Sequence, residues 1–315
     1  MTSTAPRLGS YPTPLEPAPR LAAALGLHPG DLWIKRDDLI GLGGGGNKVR
    51  KLEHTLAAAL ADGAGVVITS GAAQSNHARL TAAAAARAGL RAVLVLTGQA
   101  PAVPVGNLLL DHLFGAEIVW AGDLAPAALG ERVAQEAERL RAAGDTVAVI
   151  PFGGSSPLGA LGYAEAGTEL LGQEPELDRV VVAVGSGGTM AGLVHALGAA
   201  RVLGVDVGAL ADPVAAVAGL LHAMGGAADG LVMRRDQVGE GYAVVTPAVR
   251  EAISLTARTE GVVLDPVYTG RAAAGLVAAV ADGTVRAGER TVLLHTGGLP
   301  GLFGHTDAAS LAGDG

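Results

Sequence analysis

Short β-branched runs alternate with Ala- and Leu-rich stretches along this chain, and this alternation limits the possible folds most. Nearly continuous apolar runs of this kind are typical of parallel strands buried on both faces. The stretches between them predict crossover helices, the first starting near Lys48, with Val49, Leu52, Leu56 and Leu60 on one face. The pattern predicts a doubly wound α/β fold, whose ligands bind at the carboxyl ends of the strands. The runs are GVVITSG (65–71), RAVLVLTG (91–98), AEIVWAG (116–122), TVAVIPFGG (146–154), RVVVAVGSGG (179–188), RVLGVDVG (201–208) and TVLLHTGG (291–298).

Composition excludes several classes of function. The 315 residues are half apolar, which is enough for a sizeable core. A net charge of -8 argues against a nucleic-acid or membrane-surface partner, because both need clustered Lys and Arg. The absence of cysteine excludes disulfides and thiolate catalysis, and no histidine or carboxylate spacing indicates a metal site.

The chain ends and glycine-rich loops suggest location and domain limits. Residues 1–20 contain four prolines in their second half and no apolar core, so we expect no signal peptide and a cytoplasmic protein. The glycine run 41–46 and the loop 151–157 are candidate hinges. They predict a small domain of residues 50–154 and a large domain of residues 1–49 and 155–315.

The segment GLGGGGNKVRKLE (41–53) is the first that indicates chemistry. Glycines let the backbone approach a ligand closely. Lys48 follows them at a helix start, and lysine is the side chain that forms Schiff bases with pyridoxal phosphate. Lys51, one turn later, could face the same cleft. A flexible loop before a solvated helix face would explain this segment equally well.

A second segment, TSGAAQSNHARL (69–80), begins where a predicted strand ends. Ser75 and Asn76 are good N-cap residues for the following helix. The free amides there, with a hydroxyl and a carboxamide, could also bind a carboxylate. His77 is more typical of a packing residue than of a catalyst.

The segment VVVAVGSGGTMAGL (180–193) has the order strand, glycine loop, helix. It predicts a phosphate site on the amides of Gly185, Gly187 and Gly188, with Ser186 and Thr189 adding hydroxyls. A dinucleotide site is the alternative, since Asp206 ends the next strand. Against that alternative, Met190 replaces the third glycine of the fingerprint.

Three further residues are candidates by position. Tyr268 follows Pro266 at a turn before a helix, Tyr242 lies between a glycine and a strand-like run, and Thr296 ends a buried strand. Each could also be an ordinary structural residue. Neither a G-x-S-x-G elbow nor a P-loop motif occurs, which argues against a serine hydrolase and a P-loop enzyme.

In order, these segments resemble the fold-type-II pyridoxal-phosphate enzymes related to D-cysteine desulfhydrase and 1-aminocyclopropane-1-carboxylate (ACC) deaminase. The resemblance covers nearly the whole chain, from Pro14 to Gly304. It implies a tryptophan synthase β-like fold with two open, twisted, mostly parallel sheets flanked by helices. The matching segments are LWIKRDDLIGLGGGGNKVRKLE, SGAAQSNHARL, IPFGGSSPLGALGY, GSGGTMAGL, LDPVYTGRAAAGL and HTGGLPGLF.

The resemblance also implies roles for individual residues. Lys48 would bind the cofactor as a Schiff base and move protons, and Lys51 would assist the 185–189 loop at the phosphate. Asn76 would contact the phenolic oxygen and Thr296 the pyridine nitrogen. The substrate would be bound by Gln74, Ser75, Asn76, His77, Tyr242, Tyr268 and Thr269, with Ser75 and the two tyrosines also catalytic.

Two positions distinguish subgroups of this family. ACC deaminases have an acidic residue where this chain has Thr269, and leucine where it has Thr296. The resemblance therefore implies a cytoplasmic, homodimeric lyase that converts D-cysteine to pyruvate, sulfide and ammonia. L-Cysteate sulfo-lyase and ACC deaminase activities stay open, as does a pyridoxal-phosphate-binding protein without turnover.

Overall fold

The computed structural model describes residues 7–312, so predictions that involve residues 1–6 or 313–315 lie outside the described residues. The strands are β1 Leu15–Pro17, β2 Leu32–Arg36, β3 Val66–Ala72, β4 Arg91–Thr97, β5 Glu117–Trp120, β6 Val147–Val149, β7 Arg179–Val184, β8 Val202–Asp206, β9 Val232–Arg234 and β10 Thr291–His295. The α-helices are α1 Pro19–Ala24, α2 Lys48–Ala61, α3 Asn76–Ala88, α4 Gly106–Leu113, α5 Pro126–Ala142, α6 Pro157–Gln173, α7 Gly188–Leu197, α8 Pro213–Ala223, α9 Pro247–Glu260, α10 Thr269–Ala281 and α11 Leu299–Phe303.

The strands form two sheets. The larger has the order β1-β2-β10-β7-β8-β9, and every pair in it is parallel except β1 with β2. The smaller has the order β5-β4-β3-β6 and is entirely parallel. This arrangement confirms the predicted α/β class with two mostly parallel sheets.

Both sheets are covered on both faces, as continuous apolar strands require. Along β7, Val181 and Ala183 pack towards α1, α9 and α10, whereas Val180 and Val182 pack towards α6, α7 and α8. In the smaller sheet, one face meets α2, α3 and α4, and the other meets α5. Each fully buried Val, Leu or Ile contributes about 1.5–3 kcal/mol to stability.

All seven predicted strands are confirmed, and so is the helix that begins at Lys48. Three strands, β1, β2 and β9, were not predicted. Strand β2 ends in Lys35 and Arg36, so its sequence lacks the continuous apolar run of a buried strand. The smaller sheet lies within residues 66–149, inside the predicted small domain, whose limits stay a prediction.

A buried network of charges fixes the start of α2. Arg50 donates to Asp37 through Nε and Nη2, at 2.9 Å each, and to Glu169 at 3.0 Å. Lys35 is 0% exposed and pairs with Glu169 in the same network. Because Arg50 is two residues beyond Lys48, this network holds the helix end from which Lys48 projects.

Within residues 7–312, no helix is long and apolar enough to cross a membrane. The same residues contain no group of three His, Asp or Glu side chains that could hold a metal ion.

Candidate active site

A cavity lies between the two sheets, at the carboxyl ends of their strands. The start of α2, the start of α3, the loop 185–189 and the turn after β10 all reach it. Of the residues predicted for the site, those that line this cavity are Lys48, Lys51, Ser75, Asn76, His77, Gly185, Ser186, Gly187, Thr189, Tyr268 and Thr296. Gly188 lies immediately behind them, next to Ser155 and Lys51.

The glycine run before Lys48 is tightly fastened to the rest of the protein. Gly45 has a φ of +75°, and a Cβ on it would lie 1.8 Å from the carbonyl oxygen of Asp38. Arg79, which is fully buried, donates to the carbonyl oxygens of Gly43 at 2.6 Å and Gly45 at 2.9 Å. Only glycine fits this conformation and spacing, so the run sets the position of Lys48.

Lys48 and Lys51 lie side by side in the cavity wall. Burial lowers the pKa of Lys48 to about 8, although a hydrogen bond with Lys51 partly opposes the shift. Burial and the charge of Lys48 lower the pKa of Lys51 well below its usual value. Neither lysine has a carboxylate partner within residues 7–312, where Lys51 contacts Ser155 Oγ at 3.1 Å. Two amines without a counter-ion suit an anionic ligand.

The start of α3 presents polar groups to the same cavity. Ser75 is the N-cap of α3, and its Oγ accepts the N–H of Ala78 at 3.1 Å, as predicted. Asn76 Oδ1 accepts from Asn107 Nδ2 at 2.9 Å, which leaves the Asn76 amide group to donate into the cavity.

His77 is buried beside the lysines and is neutral. Thr69 Oγ1 donates to the carbonyl of Ile150 at 2.8 Å, so at 2.9 Å it must accept from His77 Nε2. Nδ1 then carries the lone pair and has no partner among the described residues. Burial, with the charges of Lys48 and Lys51, lowers the pKa of His77 well below its usual value. A neutral ring with this tautomer can pack against its neighbours and accept a hydrogen bond at Nδ1, but it is poorly suited to donating a proton to a substrate.

The loop 185–189 forms a cradle of amides and hydroxyls at the start of α7. Gly187 adopts φ +88°, which directs the following amides towards the cavity. Ser186 Oγ and Ser155 Oγ are 2.7 Å apart, and Ser155 Oγ also accepts from the N–H of Gly188 at 3.2 Å. A Cβ on Gly188 would lie 2.6 Å from Ser155 Oγ and 2.9 Å from Lys51 Nζ, so any larger residue there would displace these two side chains.

Two tyrosines meet at one side of the cavity, where Tyr268 lines the wall and Tyr242 contacts Tyr268 from outside that wall. The hydroxyls of Tyr242 and Tyr268 are 2.5 Å apart, and their rings meet edge to face with centroids 6.3 Å apart. Burial raises the pKa of both phenols, so both are protonated at neutral pH. Asp265 holds Tyr268 in place by accepting its backbone N–H at 2.9 Å.

Three residues singled out from the sequence turn away from the cavity. Gln74 Oε1 accepts from the N–H of Asn107 at 2.9 Å and its Nε2 donates to Val105, so its amide is used to fix α4. Thr269 is 1% exposed, and its Oγ1 donates to Asp265 at 2.7 Å. Asp206, the candidate ribose-binding acid, accepts from the N–H of Gly208 instead. These contacts do not support side-chain roles for Gln74 and Thr269 in binding substrate.

Sequence reasoning gave no role to several residues of the site. Ser155, Phe152 and Asn47 border the cavity or its cradle, and Asn47 Nδ2 donates to Thr189 Oγ1 at 3.0 Å. A signal for Ser155 did exist, because the segment IPFGGSSPLGALGY was part of the resemblance. Asp265 could be inferred from its position three residues before Tyr268, at a turn that opens a helix.

Comparison with known proteins identifies the family. The family model described as pyridoxal-phosphate-dependent enzyme matches residues 7–297. The chain belongs to the pyridoxal-phosphate-dependent enzymes. Among its relatives, D-cysteine desulfhydrase of Salmonella schwarzengrund (strain CVM19633) is 42% identical over 93% of this chain and 94% of the relative.

Two other relatives carry the name of a different activity. A Pyrococcus horikoshii protein, named as a proposed 1-aminocyclopropane-1-carboxylate deaminase, is 40% identical over 96% of this chain and 94% of its own. The crystal structure of an ACC deaminase homologue superposes with a TM-score of 0.87 and 38% identity, covering 98% of this chain and 97% of the other. Together these matches confirm the resemblance, the fold type and the cofactor.

The cavity of this pyridoxal-phosphate-dependent enzyme fits the cofactor in charge and in shape. The unpaired lysines and the amides at the start of α7 suit its phosphate. The glycines at 153 and 188 keep space open, because a Cβ on Gly153 would lie 2.1 Å from Ser186 Oγ. Thr296 lines the cavity with its hydroxyl free of protein partners among the described residues, so it is available to a ring nitrogen.

Proposed function

We propose that this enzyme eliminates the β substituent of a small amino acid, with D-cysteine as substrate and pyruvate, ammonia and sulfide as products. The proposal depends on the Lys48 amine, which has a pKa of about 8, lines the cavity and has no carboxylate partner among residues 7–312. Such an amine is a competent nucleophile and base near neutral pH. Curated relatives at about this level of identity carry the name D-cysteine desulfhydrase.

We assign the cofactor contacts to four groups of this chain. The amides and hydroxyls of residues 185–189, with Lys51, would hold the phosphate. The Asn76 amide would donate to the phenolic oxygen, and Thr296 Oγ1 would meet the pyridine nitrogen. Pyridoxal phosphate, when bound, draws electrons from Cα of an attached amino acid. A neutral hydroxyl at the pyridine nitrogen makes that withdrawal milder than a carboxylate would.

The remaining groups act on the substrate. Ser75 and the free amides at the start of α3 would hold its carboxylate. The Lys48 amine would take the α-proton, and the protonated Tyr242 and Tyr268 would flank the β sulfur. The Cβ–S bond breaks with its electron pair on sulfur, and water releases pyruvate and ammonia.

Labelling tests the role of Lys48. The chain contains only three lysines, and the third, Lys35, is paired with Glu169. Borohydride reduction of the yellow protein, followed by peptide mapping, should put the pyridoxyl group on Lys48. A label on Lys51 or Lys35 would contradict the assignment.

A substrate comparison tests the reaction. Ratios of kcat/KM measure discrimination between transition states, so D-cysteine, 3-chloro-D-alanine, ACC and L-cysteate should be compared in that form. We expect the first two to exceed ACC by orders of magnitude, because opening a cyclopropane ring needs acid-base help at carbon. Equal yields of 2-oxobutanoate from ACC and pyruvate from D-cysteine would contradict the proposal. No pyruvate from any substrate would favour a binding protein without turnover.

The sequence-based argument against ACC as substrate used the Thr269 hydroxyl, and the structure does not support that use. Thr269 faces Asp265 and not the cavity, so its hydroxyl does not replace an acid at the reacting atoms. A Thr269→Glu change would bring two carboxylates together at that turn. The comparison of substrates in the unaltered enzyme is therefore the cleaner test.

We also propose that the enzyme is a homodimer and works in the cytoplasm. Helices α4 and α11 are adjacent and expose large apolar side chains, with Leu113 and Phe303 each 70% exposed. Exposed apolar patches of this kind often mark the surface where two subunits meet. Light scattering should give a dimer mass, and Leu113→Glu with Phe303→Glu should lower it towards the monomer.

A further inference from the structure

A second cavity joins the candidate active site and extends away from the lysines. Ser75, Phe152, Ala209 and Tyr268 line both cavities, so the two share a wall at the tyrosine pair. Lys48 and Lys51 line only the first, and Tyr242 lines only the second. A substrate held by Ser75 and flanked by the tyrosines therefore has its β substituent at the entrance to the second cavity.

The second cavity is apolar. Its walls include Leu124, Leu129 and Val133 on one side, with Val149 from β6 and Leu210 from the loop after β8. No charged side chain is among the residues that line it in the described part of the chain. Some of the apolar side chains that line it are accessible to a ligand, since Val149 is 44% exposed and Phe152 is 48% exposed.

The space available is large. It amounts to about 540 Å³, within the roughly 300–1,000 Å³ typical of small-molecule sites. The sulfhydryl group of cysteine would leave nearly all of it empty. An uncharged wall would also bind a sulfonate poorly, since a buried anion needs a charge or hydrogen-bond partner.

We propose that this enzyme acts on cysteine thioethers with bulky apolar sulfur substituents, and that the second cavity binds the departing thiol. The inference rests on the β-elimination proposed above. For S-benzyl-D-cysteine, the Cβ–S bond breaks, sulfur keeps the electron pair and takes a proton, and water completes the products. These are pyruvate, ammonia and benzyl thiol, and no oxidant or reductant is needed.

Kinetics of a graded series test the substrate class. The holoenzyme is given D-cysteine and S-methyl-, S-propyl- and S-benzyl-D-cysteine, and pyruvate is measured. Each buried methylene should strengthen binding roughly fourfold, so KM should fall at least tenfold from S-methyl to S-benzyl. A KM that is constant or rises along the series, with D-cysteine turned over, overturns the inference and leaves the proposed function intact.

A glycine in α5 offers a variant that fills the cavity. Gly130 lines it, and a Cβ there meets nothing within 4 Å, so the side chain of Gly130→Leu starts in open space and adds apolar volume at the cavity wall. Gly219 in α8 is the matched control, because it is also inside a helix with nothing within 4 Å and lines neither cavity. Gly130→Leu should lower the S-benzyl to D-cysteine ratio of kcat/KM at least tenfold, and Gly219→Leu should leave it unchanged. Equal ratios in both variants contradict the inference.

Binding without turnover separates the two proposals. Benzyl methyl sulfide has no amino-acid part, so its binding, followed by ligand-observed NMR, reports on the cavity alone. We expect binding to the unaltered holoprotein and to Gly219→Leu, with at least tenfold weaker binding to Gly130→Leu. If no amino acid is turned over but this pattern holds, the elimination is wrong and the cavity is an apolar binding site. If benzyl methyl sulfide does not bind, or binds all three proteins equally, the cavity inference is wrong.

Discussion

The low pKa of Lys48 makes a quantitative prediction about cofactor attachment. Only the neutral amine reacts with an aldehyde, and burial lowers the pKa of Lys48 from 10.5 to about 8. At pH 7, about 9% of an amine with a pKa of 8 is neutral, against about 0.03% at a pKa of 10.5. The neutral fraction, and with it the attachment rate at pH 7, should be about 300-fold higher than for an ordinary lysine of equal reactivity.

Stopped-flow absorbance can measure this rate from pH 6 to pH 10. Apoprotein is mixed with pyridoxal phosphate, and each rate is divided by that of Nα-acetyl-lysine in the same buffer. The division removes the titration of the reagent itself. The remaining ratio should be greatest below pH 8 and should decline above it, as Lys48 becomes fully neutral and the reference amine is still gaining reactivity.

A Lys48→Arg variant supplies the background from Lys35 and Lys51. A ratio that does not change between pH 6 and pH 10 would mean that Lys48 titrates like a free lysine. The burial of Lys48 beside Lys51 would then not govern its reactivity, and the reasoning would be refuted.

Two further changes test the supports of the site. Asp37→Asn should lower the free energy of unfolding, measured in urea, by about 3–5 kcal/mol, because it leaves Arg50 buried without its main charge partner. The exposed Asp62→Asn is the control, and equal losses of stability in the two variants would contradict this prediction. Burial alone would raise the pKa of Asp37, but the charge of Arg50 holds this pKa below 3.8. The stabilisation from the Arg50–Asp37 pair is therefore present at neutral pH and is lost as the pH falls below 3.8 and Asp37 becomes protonated. Asp265→Ala removes the acceptor of the Tyr268 N–H and should cost about 1.5–3 kcal/mol of stability. The same variant should raise KM for D-cysteine, while the amount of bound cofactor, measured by absorbance, stays unchanged. A loss of cofactor would mean that Asp265 positions cofactor-binding groups in addition to Tyr268.

The sequence by itself determined the fold class and the groups that make the chemistry possible. Continuous apolar runs such as RVVVAV can be buried only in a sheet covered on both faces, so periodicity alone indicated parallel strands. Local rules also held where neighbours in the chain decide the structure. Ser75 caps α3, and the glycines before Lys48 take conformations that other residues avoid.

Only the tertiary structure decided which way several side chains face. Gln74 and Thr269 stand beside site residues in sequence, but their partners, Asn107 and Asp265, turn them from the cavity. Ser155 joins Ser186 and Lys51 although these residues are 31 and 104 positions away. The apolar second cavity likewise depends on where α5 lies against the loop after β8. Periodicity and capping are set by neighbours within a few residues, whereas a cavity wall is set by packing between segments distant in the chain, which a local pattern does not encode.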